Sequence, residues 1–153
     1  MRRERGDARQ AGAVASVLAD HLGDPDLLLP HQRQSRADHY TQHILHVDPD
    51  GEFSILALVW LPGQRTPLHD HICWCVVGVY EGVESEHRYR MVDGKPAFDG
   101  VCTNVAGSVS VCLPPGDIHM VLNGGEVPAI SLHVYHADIS RYGSSIRRCY
   151  DGG

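Results

Sequence analysis

"GQRTPLHDHICWCVVGVYEG", residues 63–82, sets two histidines one residue apart ahead of two cysteines with the same spacing, inside an apolar, β-branched run. In extended backbone successive side chains alternate between faces, so His69 and His71 share a face about 7 Å apart and can converge on one metal ion. Cys73 and Cys75 have the same parity. Along a straight strand at roughly 3.3 Å per residue, however, Cys75 lies about 20 Å from His69, which disfavours a four-ligand zinc site from this strand alone. A further ligand has to come from elsewhere. LPPGDIHMVLN, residues 113–123, offers His119 at the start of a strand, after a Pro-Pro-Gly-Asp bend.

The chain carries eleven histidines, and an isolated His-x-His is weak evidence of metal binding, because most histidines are surface or hydrogen-bonded residues. Context strengthens the case. Both segments follow Gly and Pro turns inside β texture, as a site at a barrel mouth requires. From Glu52 onward short β-branched runs alternate with turn residues: FSILALVWL, CWCVVGVY, EHRYRMV, SVSVCL and PAISLHVY. That spacing predicts an all-β sandwich or barrel. Upstream, AGAVASVLADHL spaces Val14, Val17, Leu18 and Leu22 at helical intervals before a stop at Gly23, which predicts one short helix. In AISLHVYH, Ser131, His133 and Tyr135 share one strand face and Ile130, Leu132 and Val134 the other. The apolar face can pack on a second layer while the polar face lines a cavity. No GxSxG elbow surrounds Ser131, so it is no serine nucleophile. The tail SSIRRCYDGG is expected to fray at its glycines.

At 153 residues, one core and one domain over 1–153 are expected, with a helical segment over 1–37 and the barrel over 38–150. The net charge of −6 and the lack of a basic stripe argue against nucleic acid as a partner. No apolar stretch approaches the roughly 20 residues that cross a bilayer, and MRRERGDARQ lacks a secretory signal, so a soluble, cytoplasmic protein without membrane association is expected. The five cysteines form no CxxC pair, which fits neither a disulfide framework nor a zinc ribbon. Small molecules are the expected partners.

Gly63, five residues, His69-Asp70-His71, three residues, Cys75, six residues and Gly82 together resemble the first cupin motif, with cysteine where most cupins carry a glutamate ligand. Pro114-Pro115-Gly116-Asp117-Ile118-His119, followed by Asn123, resembles the second. A cupin whose glutamate has become cysteine is similar to the thiol dioxygenases of the cysteine dioxygenase family. Tyr40-Thr41-Gln42 and Ser131-Leu132-His133-Val134-Tyr135 extend the resemblance over roughly residues 38 to 150. It implies an all-β cupin, a small jelly-roll-like barrel. Imidazole alone suits iron, zinc, copper or nickel; the resemblance implies Fe(II) on His69, His71 and His119. It further implies that a thiol and O2 are the substrates and that both oxygen atoms end on sulfur as a sulfinic acid. Sulfur supplies the electrons, and the chain has no GxGxxG for a nicotinamide or flavin.

By the same resemblance Tyr135 donates a hydrogen bond to bound oxygen or substrate, His133 orients it with Ser131 behind, and Cys75 can form a thioether crosslink to Tyr135. Cys73 has no such match and reads as a small buried apolar residue. Cysteine-specific relatives carry arginine where this chain has Gln42, and a neutral amide cannot grip a carboxylate as a guanidinium does. Gln42, beside Tyr40, resembles instead the 3-mercaptopropionate dioxygenase branch, whose carboxylate-binding arginine is resembled by Arg147 or Arg148. That branch usually has glycine at the Cys75 position. The features are therefore mixed, and a zwitterionic thiol-imidazole such as ergothioneine also fits. Three other readings compete: cysteine dioxygenase proper, a divalent-metal cupin hydrolase or lyase, and a small-molecule sensor.

Overall fold

The computed structural model describes residues 2–151. Helix α1 (Arg2–His21) and a 3-10 turn at Pro30–Arg33 precede the strands β1 (Thr41–Val47), β2 (Ser54–Trp60), β3 (His69–His71), β4 (Cys75–Glu81) and β5 (Val83–Val92). After them come β6 (Lys95–Val105), β7 (Val109–Cys112), β8 (His119–Leu122) and β9 (Ala129–Tyr135), then a one-turn helix α2 (Ile139–Tyr142) and β10 (Ile146–Cys149). The strands form two antiparallel sheets, one in the order β1-β2-β9-β4-β7 and the other β10-β3-β8-β5-β6. This is the expected all-β cupin barrel with an N-terminal helix. Gly152 and Gly153, at which the tail was expected to fray, lie outside the described residues.

The apolar runs of β2, β4 and β9 are continuous because the first sheet is covered on both faces. Leu56, Leu58 and Trp60 face inward with Cys75, Cys112 and Tyr135, while Ala57, Val59, Val76, Leu132 and Val134 face outward with Leu18 and Leu22 of α1. Gly78 lets that helix approach closely: a Cβ there would lie 2.9 Å from a Leu18 methyl. Helix α1 is longer than the apolar spacing predicts, since its first turns are polar, and Val17 is exposed while Ala11 takes the buried stripe.

Three strands, β1, β6 and β10, lie outside the predicted set. Strand β1 is an edge strand whose alternating polar sequence leaves little apolar signal, and β10 is a basic segment that pairs with β3. The straight strand expected through 69–75 is also corrected. It breaks at Ile72–Trp74, where the chain crosses from one sheet to the other. Cys75 therefore turns back toward the barrel interior, packed in the inner cluster with Cys73 at its margin.

Gly82 closes the β4–β5 turn at φ +75°, and a Cβ there would sit 2.9 Å from Ala129 Cα and from the Pro128 carbonyl oxygen. Gly63 has φ +81° but open space around it. In urea unfolding, Gly82→Ala should lose about 2 kcal/mol or more and Gly63→Ala only about 1 kcal/mol, because only the first combines strain with a backbone clash.

Candidate metal centre

Strands β3 and β8 are neighbours in register at His69 and His119, and strand periodicity puts His71 on the same face as His69. The three rings face one another edge-on, with centroids 4.7, 4.8 and 4.9 Å apart. Each has its outer nitrogen engaged. His69 Nδ1 donates to the Pro67 carbonyl at 2.8 Å, His71 Nδ1 lies 2.8 Å from Asp117 Oδ2, and His119 Nδ1 lies 2.8 Å from Glu86 Oε1. With the outer nitrogens donating, the Nε2 atoms carry bare lone pairs turned toward one another, His69 and His71 only 3.2 Å apart. Two lone pairs at that distance repel. A cation between them turns the repulsion into coordination, so the donor set fits a metal ion held by three imidazoles, whose ligand atoms lie within 4.8 Å of one another.

Electrostatics divide the three: burial opposes the charge on His119, but hydrogen bonds with Cys112 and Glu86 outweigh it and raise that ring to about 10, whereas His69 is held neutral. Burial first, and then the neighbouring rings of His119 and His71, push His69 down to about 3. Burial opposes the charge on Glu86, but hydrogen bonds from His119 and Arg88 outweigh it and hold the carboxyl down at about 2. Asp117 is likewise lowered, with the His71 hydrogen bond overcoming burial. Buried carboxylates behind metal-binding imidazoles fix the tautomer and make the ring more basic.

Cys75 is the Cα partner of Cys112 on one side and of Tyr135 on the other. Hydrogen bonding with Cys112, and then burial, raise its thiol far above the usual range, so Cys75 presents a neutral sulfur rather than a further anionic ligand. On β9 the Tyr135 hydroxyl lies 3.0 Å from His133 Nδ1, and His133 Nε2 lies 2.8 Å from Ser131 Oγ, which also accepts from Trp60 Nε1 at 3.1 Å. Burial, followed by the charges of His71, His119 and His69, pushes His133 down to about 3. Burial keeps Tyr135 a protonated phenol.

One cavity gathers the three histidines, Cys75, His133 and Tyr135, with Tyr40 and Gln42 also on its wall. Tyr40 stacks on Trp60 with centroids 4.5 Å apart. Ser131 stands behind His133. The two candidate arginines do not reach this cavity: Arg147 and Arg148 are exposed and both bond Asp70 Oδ2, the latter at 2.7 Å. The reason is parity, since Asp70 lies between His69 and His71 and faces away from them. Ser144, Ser145 and Ile146 line the cavity in their place.

Sequence reasoning assigned no role to Asp117, Glu86 or Cys112. Asp117 sits two residues before a ligand in a quoted motif and was within reach. Nothing in VESEHRYRMV tells that Glu86 faces inward, because that requires knowing that β5 pairs with β8.

A barrel of two antiparallel sheets with three histidines converging in its interior defines a cupin fold with a donor set that could hold a metal ion. Consistent with this, a double-stranded β-helix protein from Klebsiella pneumoniae has 17% identity and a TM-score of 0.55, over 71% of this chain and 85% of that one. A Thermus thermophilus protein has 18% identity and a TM-score of 0.57, over 70% and 91%. A Cupin 2 conserved barrel domain protein from Salinispora arenicola has 21% identity and a TM-score of 0.52, over 76% and 92%. These likenesses concern the fold. Residues 5–145 match the family cysteine dioxygenase type I, and the chain belongs to that family.

If the buried carboxylates orient the ligands, Asp117→Asn should keep the fold and weaken metal affinity about 10–100-fold, measured by competition with a chelating indicator. His119→Ala should abolish stoichiometric binding.

Proposed function

We propose that the protein is a non-haem Fe(II) thiol dioxygenase that converts a small thiol other than cysteine to its sulfinic acid, RSH + O2 → RSO2H. The observation that carries the reading is the pairing, in one cavity, of a three-imidazole donor set with the Tyr135–His133–Ser131 row. When bound to His69, His71 and His119, Fe(II) would supply a redox-active centre with positions open to both a thiolate and dioxygen.

The chain's own residues then have defined tasks. Tyr135, a neutral phenol, donates toward the reacting oxygen or sulfur. His133, held neutral, cannot act as a proton source and serves to aim that phenol. Ser131, anchored by Trp60, fixes the far side of the His133 ring. Gln42 and Tyr40 contact the substrate's polar end from the β1 side. No helix among the described residues is long and apolar enough to cross a membrane, and the cysteines are free thiols; both fit a cytoplasmic enzyme.

Oxygen uptake by iron-loaded protein, followed with chromatographic detection of the sulfinate, tests the reading: one sulfinate should appear per O2 consumed. L-Cysteine should be a poor substrate within a broad thiol panel, because Gln42 supplies no guanidinium for its carboxylate. Uptake without sulfinate would overturn the dioxygenase reading.

Cys75 and Tyr135 face each other across β4 and β9, and we propose that aerobic turnover joins the sulfur to the phenol ring, with two hydrogens removed by O2. Peptide mass mapping should find this linked pair in wild-type protein and in Cys73→Ala, and should not find it in Cys75→Ala. Active protein without the linkage would refute the crosslink alone.

A further inference from the structure

The cavity wall is unusual in what its polar groups lack. Apart from its histidines, none of the residues that line it carries a charge: the polar contributors are Tyr40, Gln42, Thr66, Ser144, Ser145 and Tyr135. The ionic groups close by lie off this wall, and all but the buried Glu84, whose Oε1 has no partner, are matched within the protein. Asp117 is taken by His71, and Glu86 by His119 and Arg88. Asp70 holds both Arg147 and Arg148 and also accepts from Tyr150 at 2.9 Å. Beyond the metal itself, a carboxylate on the substrate would find no arginine or lysine on this wall, and an ammonium would find no carboxylate on it. Either charge, enclosed without a counterion, loses its hydration and gains nothing comparable in return.

Gln42 offers the complementary signal. Its amide makes no hydrogen bond to the described residues, and it stands at the cavity mouth on the inward-facing parity of edge strand β1, opposite Leu58. An amide presents a donor and an acceptor side by side. The matching ligand edge has the same two features and no formal charge, as in a carboxamide or an azole ring. The flat Tyr40–Trp60 stack beside it adds an aromatic wall suited to a planar group.

Resting on the thiol dioxygenase reading, we infer that the substrate is a thiol whose head group carries no net charge, read by the Gln42 amide, and that thiols with an anionic or cationic head are discriminated against. The arginines of the tail take no part in recognition; they hold β10 in place.

The test uses iron-loaded protein and thiols of matched size: 3-mercaptopropanamide and 2-mercaptoimidazole against 3-mercaptopropionate, L-cysteine and 2-aminoethanethiol. Oxygen uptake gives kcat/KM, and anaerobic calorimetry gives affinity independently of turnover. At least one uncharged thiol should exceed every charged-head one by on the order of a hundredfold in kcat/KM, with the same order in affinity. Gln42→Arg, at an exposed edge position, should reverse the ranking in favour of 3-mercaptopropionate. Equal or better use of 3-mercaptopropionate or 2-aminoethanethiol by wild-type protein overturns the inference and leaves the dioxygenase reading standing. Should no thiol be oxidised, the dioxygenase reading falls, and the calorimetric ranking alone decides the head-group inference.

Discussion

Two imidazole lone pairs 3.2 Å apart are the constraint on which the rest of this structure depends. Such a contact persists in a folded interior only if something holds the rings in place from outside and something positive joins them from within. The outside is built from three different acceptors: a backbone carbonyl behind His69, Asp117 behind His71 and Glu86 behind His119. Each acceptor must be buried to be effective, and a buried carboxylate needs partners of its own. That requirement draws Arg88 onto Glu86 and sets the register of β5 against β8, where Arg88 lies opposite His119. The barrel wall is thus specified partly by the second layer of the site it encloses.

The same logic explains the break at Ile72–Trp74. A strand running straight from His69 would carry Cys75 beyond reach of the histidines. By crossing between sheets, the chain places ligands on one wall and Cys75 on the facing wall, between Cys112 and Tyr135. A neutral sulfur there contributes bulk without charge. A carboxylate at that position would add an anion to an interior that already holds Asp117 and Glu86.

Periodicity made the doubly covered strands legible, because the runs of β2, β4 and β9 are apolar on the face under α1 and inward-facing on the other. It also assigned Ser131, His133 and Tyr135 to one face, and the structure puts His133 and Tyr135 on the cavity wall with Ser131 behind. Strand β1 and strand β10 escaped, since an edge strand with polar alternation and a basic tail segment owe their conformation to pairing partners distant in sequence. The pairing of Arg147 and Arg148 with Asp70 was hidden for the same reason: a cation's destination depends on which carboxylate folding brings near it. Glu86 illustrates the converse, an acid on a mostly exposed strand that becomes buried only because β8 docks beside it.

Asp70 ties these threads together. Its place between His69 and His71 follows from the two-residue period of a strand, which turns it outward whenever the histidines turn inward. Burial alone would penalise its charge, yet hydrogen bonds from Arg147, Arg148 and Tyr150 more than offset that and hold its carboxyl well below the usual range. The cluster clamps β10 onto β3, which brings Ser144 and Ser145 to the cavity rim. One acid therefore does two things at once: it closes the barrel edge beside His69 and His71, and it keeps Arg147 and Arg148 on the outer surface. The neutrality of the cavity follows from how the edge is closed, and a chain that freed either arginine for substrate would have to find another way to hold β10 against the ligand strand.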